Sequence, residues 1–199
     1  MVRCRVVNTL SATRFALPEN LPGSVQLLMA HLGDAGKHSL LELTATHPTL
    51  VVFLRHLGCV FCRQMLGDLR EHRAAIEKAG VKIALVHMAS DRQAELVFRL
   101  YGLDDVARFS DPDRSLYEAF GLRRVTMREL LSADLWKRGL EACIHDRHAM
   151  GIPRGDPMQM PGVFVVDRGW IRARFVHSHP WDRPDFPALL AEAQAVASV

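Results

Sequence analysis

Two short runs of nearly continuous apolar residues, LVVFLR at 50–55 and VKIALVHMA at 81–89, flank a longer stretch patterned differently. Runs this short, rich in Val, Leu, Ile and Phe, are the signature of strands buried on both faces. Between them the apolar positions Met65, Leu66, Leu69, Ile76 and Ala79 recur at helical spacing, beginning after Cys59 and stopping at Gly80. DRQAELVFRLYG (91–102) opens on the acid Asp91 and closes on Gly102, which predicts a second helix. VARFSDPDR (106–114) reads as a short strand and turn, and SLYEAFGL (115–122) as a short helix. Strand, helix, strand, helix at this spacing implies βαβ units and a parallel sheet with right-handed crossovers.

The flanking regions are less regular. The first 35 or so residues are weakly patterned, with turn chemistry in LPENLPGS (17–24) and one or two helical turns in SLLELTATHP (39–48), stopped by Pro48. TMRELLSADLWKRGLEA (126–142) is predicted helical, and the following CIHDRHAMGIPRGDPMQM is loop-like. GVFVVD (162–167) and WIRARFVHS (170–178), joined by Arg168–Gly169, predict an antiparallel hairpin. RPDFPALLAEAQAVA (183–197) predicts a terminal helix with Pro184 near its start. The expected architecture is one α/β domain over 1–199. Residues 1–48 form an N-terminal extension, and 123–160 form a helical insertion on the sheet edge, too short for a core of its own. A mixed central sheet flanked by helices in three layers, ending in a hairpin and a helix, resembles the thioredoxin-like fold.

Composition removes several classes of function. With 49% apolar and 24% charged residues the chain has the balance of a folded globular protein. A net charge of +3, without a dense Lys/Arg run, gives no footprint for nucleic acid. No apolar run is long enough to cross a bilayer, and the N-terminus lacks a signal-peptide pattern, so neither membrane nor secretion is expected and the cytoplasm is. Four cysteines do not make a disulfide scaffold; two of them spaced CxxC point to redox or metal chemistry.

That pair lies in FLRHLGCVFCRQM (53–65), where the first strand gives way to the first long helix. A thiol at Cys59 would face the unpaired N–H groups of the opening turn and the positive end of the helix dipole, both of which favour thiolate. Residues i and i+3 share a helix side, which brings Cys62 within bonding reach. Gly58 would permit a sharp turn into the helix, and Arg55, His56 and Arg63 could add positive charge. The result is a dithiol/disulfide couple in which one thiolate attacks and the other resolves. Two other readings stand beside it. The cysteines could be small core residues. They could also supply two ligands of a zinc-stapled or redox-sensing module completed by Cys143, His145 and His148.

The ordered set VVFLRHLGCVFCRQMLGDLR, FSDPDRSLYEAFGL, GDPMQMPGVFVVDRG and HSHPWDRPDF, over roughly 50–187, resembles the peroxiredoxin-like branch of the AhpC/TSA group, including the selenoprotein-L-type redox proteins. The resemblance implies an oxidoreductase with antioxidant activity and no cofactor. It would be served by a thiol reductant of thioredoxin or glutathione type and would act on a disulfide or peroxide, with a homodimer among the assemblies it allows. It also implies a cis Met160–Pro161 bond facing the cysteines and a Met160 backbone free to pair with a substrate's chain. The sequence departs from the usual peroxiredoxin pattern Pro-x-x-x-Thr/Ser-x-x-Cys. Counted from Cys59 the Pro and Thr places hold Val52 and His56; counted from Cys62 they hold Arg55 and Cys59. Pro161 stands near the place of the later, peroxide-activating arginine, for which Arg55 and Arg124 are the substitutes available. The sequence therefore favours thiol–disulfide exchange, with Cys59 attacking, Cys62 resolving, and Arg55, Met160 and Pro161 around the substrate. A peroxidase with Cys62 or Cys59 attacking is the second reading.

Other candidates read more plainly. HSHPWD (His177, His179, Asp182) is expected to be an exposed turn with Trp181 on the surface rather than a metal cluster. His87 is expected to be partly buried and satisfied. Asp111 and Asp113 flank Pro112 as a turn, not as a carboxylate dyad. Cys143 is a candidate third redox thiol, and Cys4 is read as incidental.

Overall fold

The structure is a computed structural model that describes residues 19–33, 38–126, 129 and 155–197. Along the chain come β1 (Glu19–Asn20), α1 (Gly23–His31), α2 (Leu40–Thr46), β2 (Thr49–Phe53) and α3 (Val60–Lys78). They are followed by β3 (Lys82–His87), α4 (Asp91–Leu100), β4 (Ala107–Ser110) and α5 (Ser115–Ala119). The last three are β5 (Gly162–Asp167), β6 (Trp170–Val176) and α6 (Phe186–Ala197).

The strands form one six-stranded sheet in the order β1-β6-β5-β2-β3-β4. β2 is buried at all five positions because it has a neighbour on each edge and helices on each face. It runs parallel to β3, with Val51 opposite Ala84, and antiparallel to β5, with Val51 opposite Phe164. Beyond β3 lies β4, also parallel; beyond β5 lie β6 and then β1, each antiparallel to its neighbour.

The two-residue period of the strands divides the core. Leu50, Val52, Ile83, Leu85, Val163 and Val165 meet Met65, Leu66, Leu69, Phe98, Phe186 and Leu189 of α3, α4 and α6. Val51, Phe53, Val86, Phe109, Phe164 and Ile171 meet Val25, Met29, Leu40, Leu116 and Tyr117 of α1, α2 and α5. Three layers result, as the strand and helix order predicts. Arg168 and Gly169 both have positive φ, 48° and 80°, the geometry of a two-residue hairpin turn that follows strand twist.

Some expectations need correction. The turn-like segment around residues 17–24 contributes β1 and the start of α1. The last helix begins at Phe186, so Pro184 precedes it and Pro187 occupies its first turn. The short helix before Pro48 is there, closed at Ser39 by a capping box with Glu42. Residues 127, 128 and 130–154, most of the expected insertion, lie outside the described residues, as do Cys4, Cys143, His145 and His148. No described helix is long and apolar enough to cross a membrane.

Tyr117 ties this scaffold to the cysteine turn. Its buried hydroxyl donates to the carbonyls of Leu54 (2.6 Å) and Val86 (3.1 Å), where β2 and β3 end, and Leu54 is the residue before Arg55. Tyr117→Phe leaves both carbonyls without that donor, and a loss of about 1–3 kcal/mol in denaturant unfolding is expected. Unfolding unchanged to within a few tenths of a kcal/mol would show that the strap carries no net weight.

Candidate active site

After β2 the chain reverses through Arg55–Gly58, closed by the Cys59 N–H donating to the His56 carbonyl at 3.0 Å. Gly58 makes this turn without a positive φ. Cys59 is the N-cap of α3, and its own carbonyl accepts the first helical hydrogen bond, from Arg63 at 3.1 Å. Cys62, one turn on, faces the core. Cys59 is 6% exposed and Cys62 2%, so solvent reaches Cys59 first and barely reaches its partner. Both are free thiols.

Arg55 touches both sulfurs. Its backbone N–H donates to Cys62 Sγ at 3.2 Å, and its guanidinium lies 3.8 Å from Cys59 Sγ. The Cys59 thiol is lowered to about 6, first by a hydrogen bond from the Cys62 thiol, then, against the cost of burial, by the Arg55 charge and the amides of Cys62 and Phe61. Those amides act on the sulfur as oriented dipoles; it makes no cap hydrogen bond of ordinary geometry. Cys62 moves the opposite way, well above the ordinary thiol range, because it donates to Cys59, is buried, and faces that thiolate. One proton is thus shared unequally, with the anion on Cys59. Alkylation of Cys59 by iodoacetamide should rise with pH through a midpoint near 6, against about 8.5 for a free thiol. A midpoint at 8 or above would contradict the assignment.

A second segment covers the turn. The Arg55 guanidinium also donates to the Pro157 carbonyl. Next to it Asp156 receives the Met158 N–H at 2.8 Å and the guanidinium groups of Arg114 (2.6 Å) and Arg124 (2.8 Å). Arg124 is therefore part of an ion-pair network one residue away from the carbonyl that holds Arg55. His56 is pushed down to about 4 by burial and by the Arg55 charge, so it supplies no positive charge, contrary to expectation. Arg63 turns its Nε to the Leu57 carbonyl at 3.4 Å.

Three further expectations are overturned. The Met160–Pro161 peptide is trans. The Met160 backbone is not free: its N–H donates to the Arg123 carbonyl at 3.0 Å and its carbonyl accepts from the buried Gln159 side chain at 3.2 Å. Met160 is fully buried, because the chain on both sides of the expected insertion closes through an Arg124–Gln159 bridge. His87 is also fully buried, with neither ring nitrogen hydrogen-bonded in geometry; burial pushes it down to about 4, and Asp91 lies 3.9 Å away.

In HSHPWD only His179 is well exposed. His177 is buried behind β6, and the Asp182 carboxylate closes the turn through the N–H groups of Ser178 and His179. Trp181 packs edge-on to Phe61, the second residue between the cysteines, at 6.5 Å, and His179 stacks on Trp181 at 4.8 Å. Sequence reasoning left this aromatic shelf and the Arg114–Asp156 pair unseen, since both join segments far apart in the chain. Asp111 caps α5 through the N–H groups of Ser115 and Leu116, the turn role expected of it. Among the described residues no group of three His, Cys, Asp or Glu side chains could hold a metal ion.

A three-layer α/β fold with a cysteine at the N-cap of the helix following the central strand defines a thioredoxin-fold thiol protein. Comparison with known structures agrees. Reduced Prx3 from Vibrio vulnificus, in complex with hydrogen peroxide, superimposes with a TM-score of 0.61 at 17% identity, covering 90% of this chain and 99% of that one. A thiol peroxidase from Chromobacterium violaceum does so with a TM-score of 0.54 at 17% identity, over 94% and 84%. The family model for AhpC/TSA antioxidant enzymes matches residues 68–180, more than half of the chain, so the chain belongs to the AhpC/TSA family and is an oxidoreductase. The cysteine pair precedes the matched segment. The human prostamide/prostaglandin F synthase is 28% identical over 164 residues, 80% of this chain and 81% of that protein. Bovine peroxiredoxin-like 2C is 27% identical over 170 residues, 78% and 70%.

Proposed function

We propose that Cys59 and Cys62 are the working dithiol of this peroxiredoxin-like oxidoreductase, Cys59 attacking and Cys62 resolving. The observation that carries the reading is the Cys59 sulfur held between the Arg55 guanidinium and the Cys62 thiol at the mouth of α3. With a hydroperoxide, the Cys59 thiolate attacks the outer oxygen, the O–O bond breaks, and the departing alkoxide takes a proton to leave as an alcohol. Cys59 becomes a sulfenic acid. Its sulfur is then no longer an anion, so the repulsion that kept Cys62 protonated disappears, while the N–H groups of Arg55 and His56 still face the Cys62 sulfur. Cys62 attacks, water leaves, and a disulfide closes; two external thiols return both cysteines to the reduced state. His56 stands where the usual motif has Thr or Ser, and Arg55 is the cation beside the attacked oxygen.

One equivalent of peroxide should remove two titratable thiols and yield a single peptide pair linked Cys59–Cys62 in the mass spectrum. Both cysteines remaining alkylable, with the protein folded, would defeat the proposal. A disulfide can replace the peroxide as oxidant through the same attack, and the Phe61–Trp181 shelf beside the sulfurs favours a polypeptide disulfide as this second substrate. Faster turnover with reduced insulin disulfide as the readout than with peroxide would rank that reading first.

A further inference from the structure

Asp156 is placed oddly for a residue that only stabilises a loop. Its Oδ2 accepts from both Arg114 and Arg124, and its Oδ1 is occupied by the Met158 N–H. One carboxylate thus serves two guanidinium groups and a backbone N–H at once. No other described carboxylate pairs with either arginine. Each guanidinium carries five N–H donors and spends few of them here. Among the described residues the Arg124 side chain makes one further contact, with the Met158 sulfur at 3.7 Å, and it is 51% exposed. Arg114 is 27% exposed and held at a left-handed φ of 64°. The two are pinned from behind, with donors to spare on the solvent side.

This pair adjoins the reactive sulfur. Pro157, next to Asp156, gives its carbonyl to Arg55, whose other arm reaches Cys59. A continuous run of contacts, from the two arginines through Asp156, Pro157 and Arg55, thus joins the free donors to the Cys59 sulfur. His56, between them, is neutral above about pH 4 and does not alter the sign. Asp111, three residues before Arg114, is buried and turned to the N-terminus of α5, while Asp113, next to Arg114 in the chain, is exposed.

We propose that Arg124 and Arg114, oriented by Asp156, form an anion subsite for the carboxylate of a small co-substrate whose sulfur or oxygen reacts at Cys59. The inference rests on the dithiol reading above. Paired guanidinium groups suit a planar carboxylate, which accepts two parallel hydrogen bonds. The carboxylate could belong to the oxidant or to the reducing thiol, since both approach the same sulfur.

Two chromogenic disulfides test this. In each, the Cys59 thiolate attacks one sulfur, the reagent S–S bond breaks, and one aryl thiolate leaves with the electron pair. Cys62 then displaces the second aryl thiolate and closes the protein disulfide, so reagent and enzyme exchange two electrons. Dithiobis(nitrobenzoate) carries carboxylates; dithiodipyridine carries none. Relative to free cysteine, the ratio of the anionic to the neutral rate should be about tenfold higher on the protein at low salt and should collapse at high salt. It should fall back towards the free-thiol ratio in Arg124→Gln and below it in Arg124→Glu, an exposed position at which folding is not at risk. Glutathione against its ethyl ester, as reductants of the oxidised protein, and a carboxylate-bearing against a neutral hydroperoxide, as oxidants of the reduced protein, identify which co-substrate uses the site. A fast neutral reagent with an unaltered ratio in all three proteins overturns the subsite and leaves the dithiol standing. Slow reaction of Cys59 with both reagents overturns the dithiol reading itself.

Discussion

Cys59→Ser is expected to abolish oxidant-dependent thiol loss, lowering the rate of peroxide or disulfide consumption by on the order of 10³-fold or more, because it removes the acidic one of the two described thiols. Cys62 does not replace it. It is 2% exposed against 6% for Cys59, and it lies one turn deeper, towards the core. Cys62→Ser should behave quite differently. A serine hydroxyl can still donate to the Cys59 sulfur, so the first attack survives while ring closure cannot occur. The protein should consume one equivalent of peroxide, gain the mass of one oxygen on Cys59, and move on to the sulfinic acid when oxidant is in excess. Stopped-flow consumption and intact mass separate the two variants. The opposite pattern, with Cys59→Ser still consuming oxidant and Cys62→Ser inert, would exchange the two roles.

The parts of this arrangement that could be read in advance are those fixed by local sequence. LVVFLR and VKIALVHMA are strands because their apolar runs leave no polar face, and α3 follows its N-cap Cys59 because the apolar period changes there. α1 was hidden for the converse reason. Pro22 stands at its N-cap with no side-chain bond, and Val25, Leu27, Leu28 and Met29 put apolar residues on several sides at once, Leu27 being 64% exposed, so no stripe stands out. β1 is two residues long and exists only as an edge partner of β6. The geometry around Pro161 departs from the one the resemblance implies, which no residue of this chain encodes locally. In this chain Met160 is tied to Arg123 and Gln159 by contacts that no local pattern announces. The same holds for His177, which polar composition suggested would face solvent and which the return of the chain after β6 buries.

The site itself divides along the same line. That Cys59 should be acidic follows from its place at a helix mouth, which sequence shows. That it is Arg55 rather than His56 or Arg63 that supplies the charge depends on where the side chains turn after the strand ends. A guanidinium can span the distance between the Cys59 sulfur and the Pro157 carbonyl with its two arms, and an imidazole cannot. Arg114 and Asp156, 42 residues apart, meet only because the chain returns to the same sheet end.

Arg55→Ala is expected to shift the Cys59 alkylation midpoint upward from about 6 by about one pH unit, the usual scale for removing an adjacent opposite charge. At pH 6 that lowers the rate roughly fivefold, and near pH 9, where both proteins are fully ionised, the difference vanishes. The variant also frees the Pro157 carbonyl, and a pH-independent loss of about 1–3 kcal/mol should accompany it. Stability adds a signed test. In the wild type the folded thiol is more acidic than the unfolded one. Its contribution is therefore complete above the unfolded value, about 8.5, and is lost as pH falls through about 6. Under reducing conditions the stability gap between wild type and Arg55→Ala should thus widen by about 1 kcal/mol between pH 6 and 8.5. Arg55→Lys should recover part of the acidity but not the loop stability, since an ammonium is a single point charge without a second arm. A gap that narrows as pH rises, or an alkylation midpoint unmoved by Arg55→Ala, would mean that the Cys62 thiol and the α3 amides alone hold the anion and that Arg55 serves only to tether Pro157.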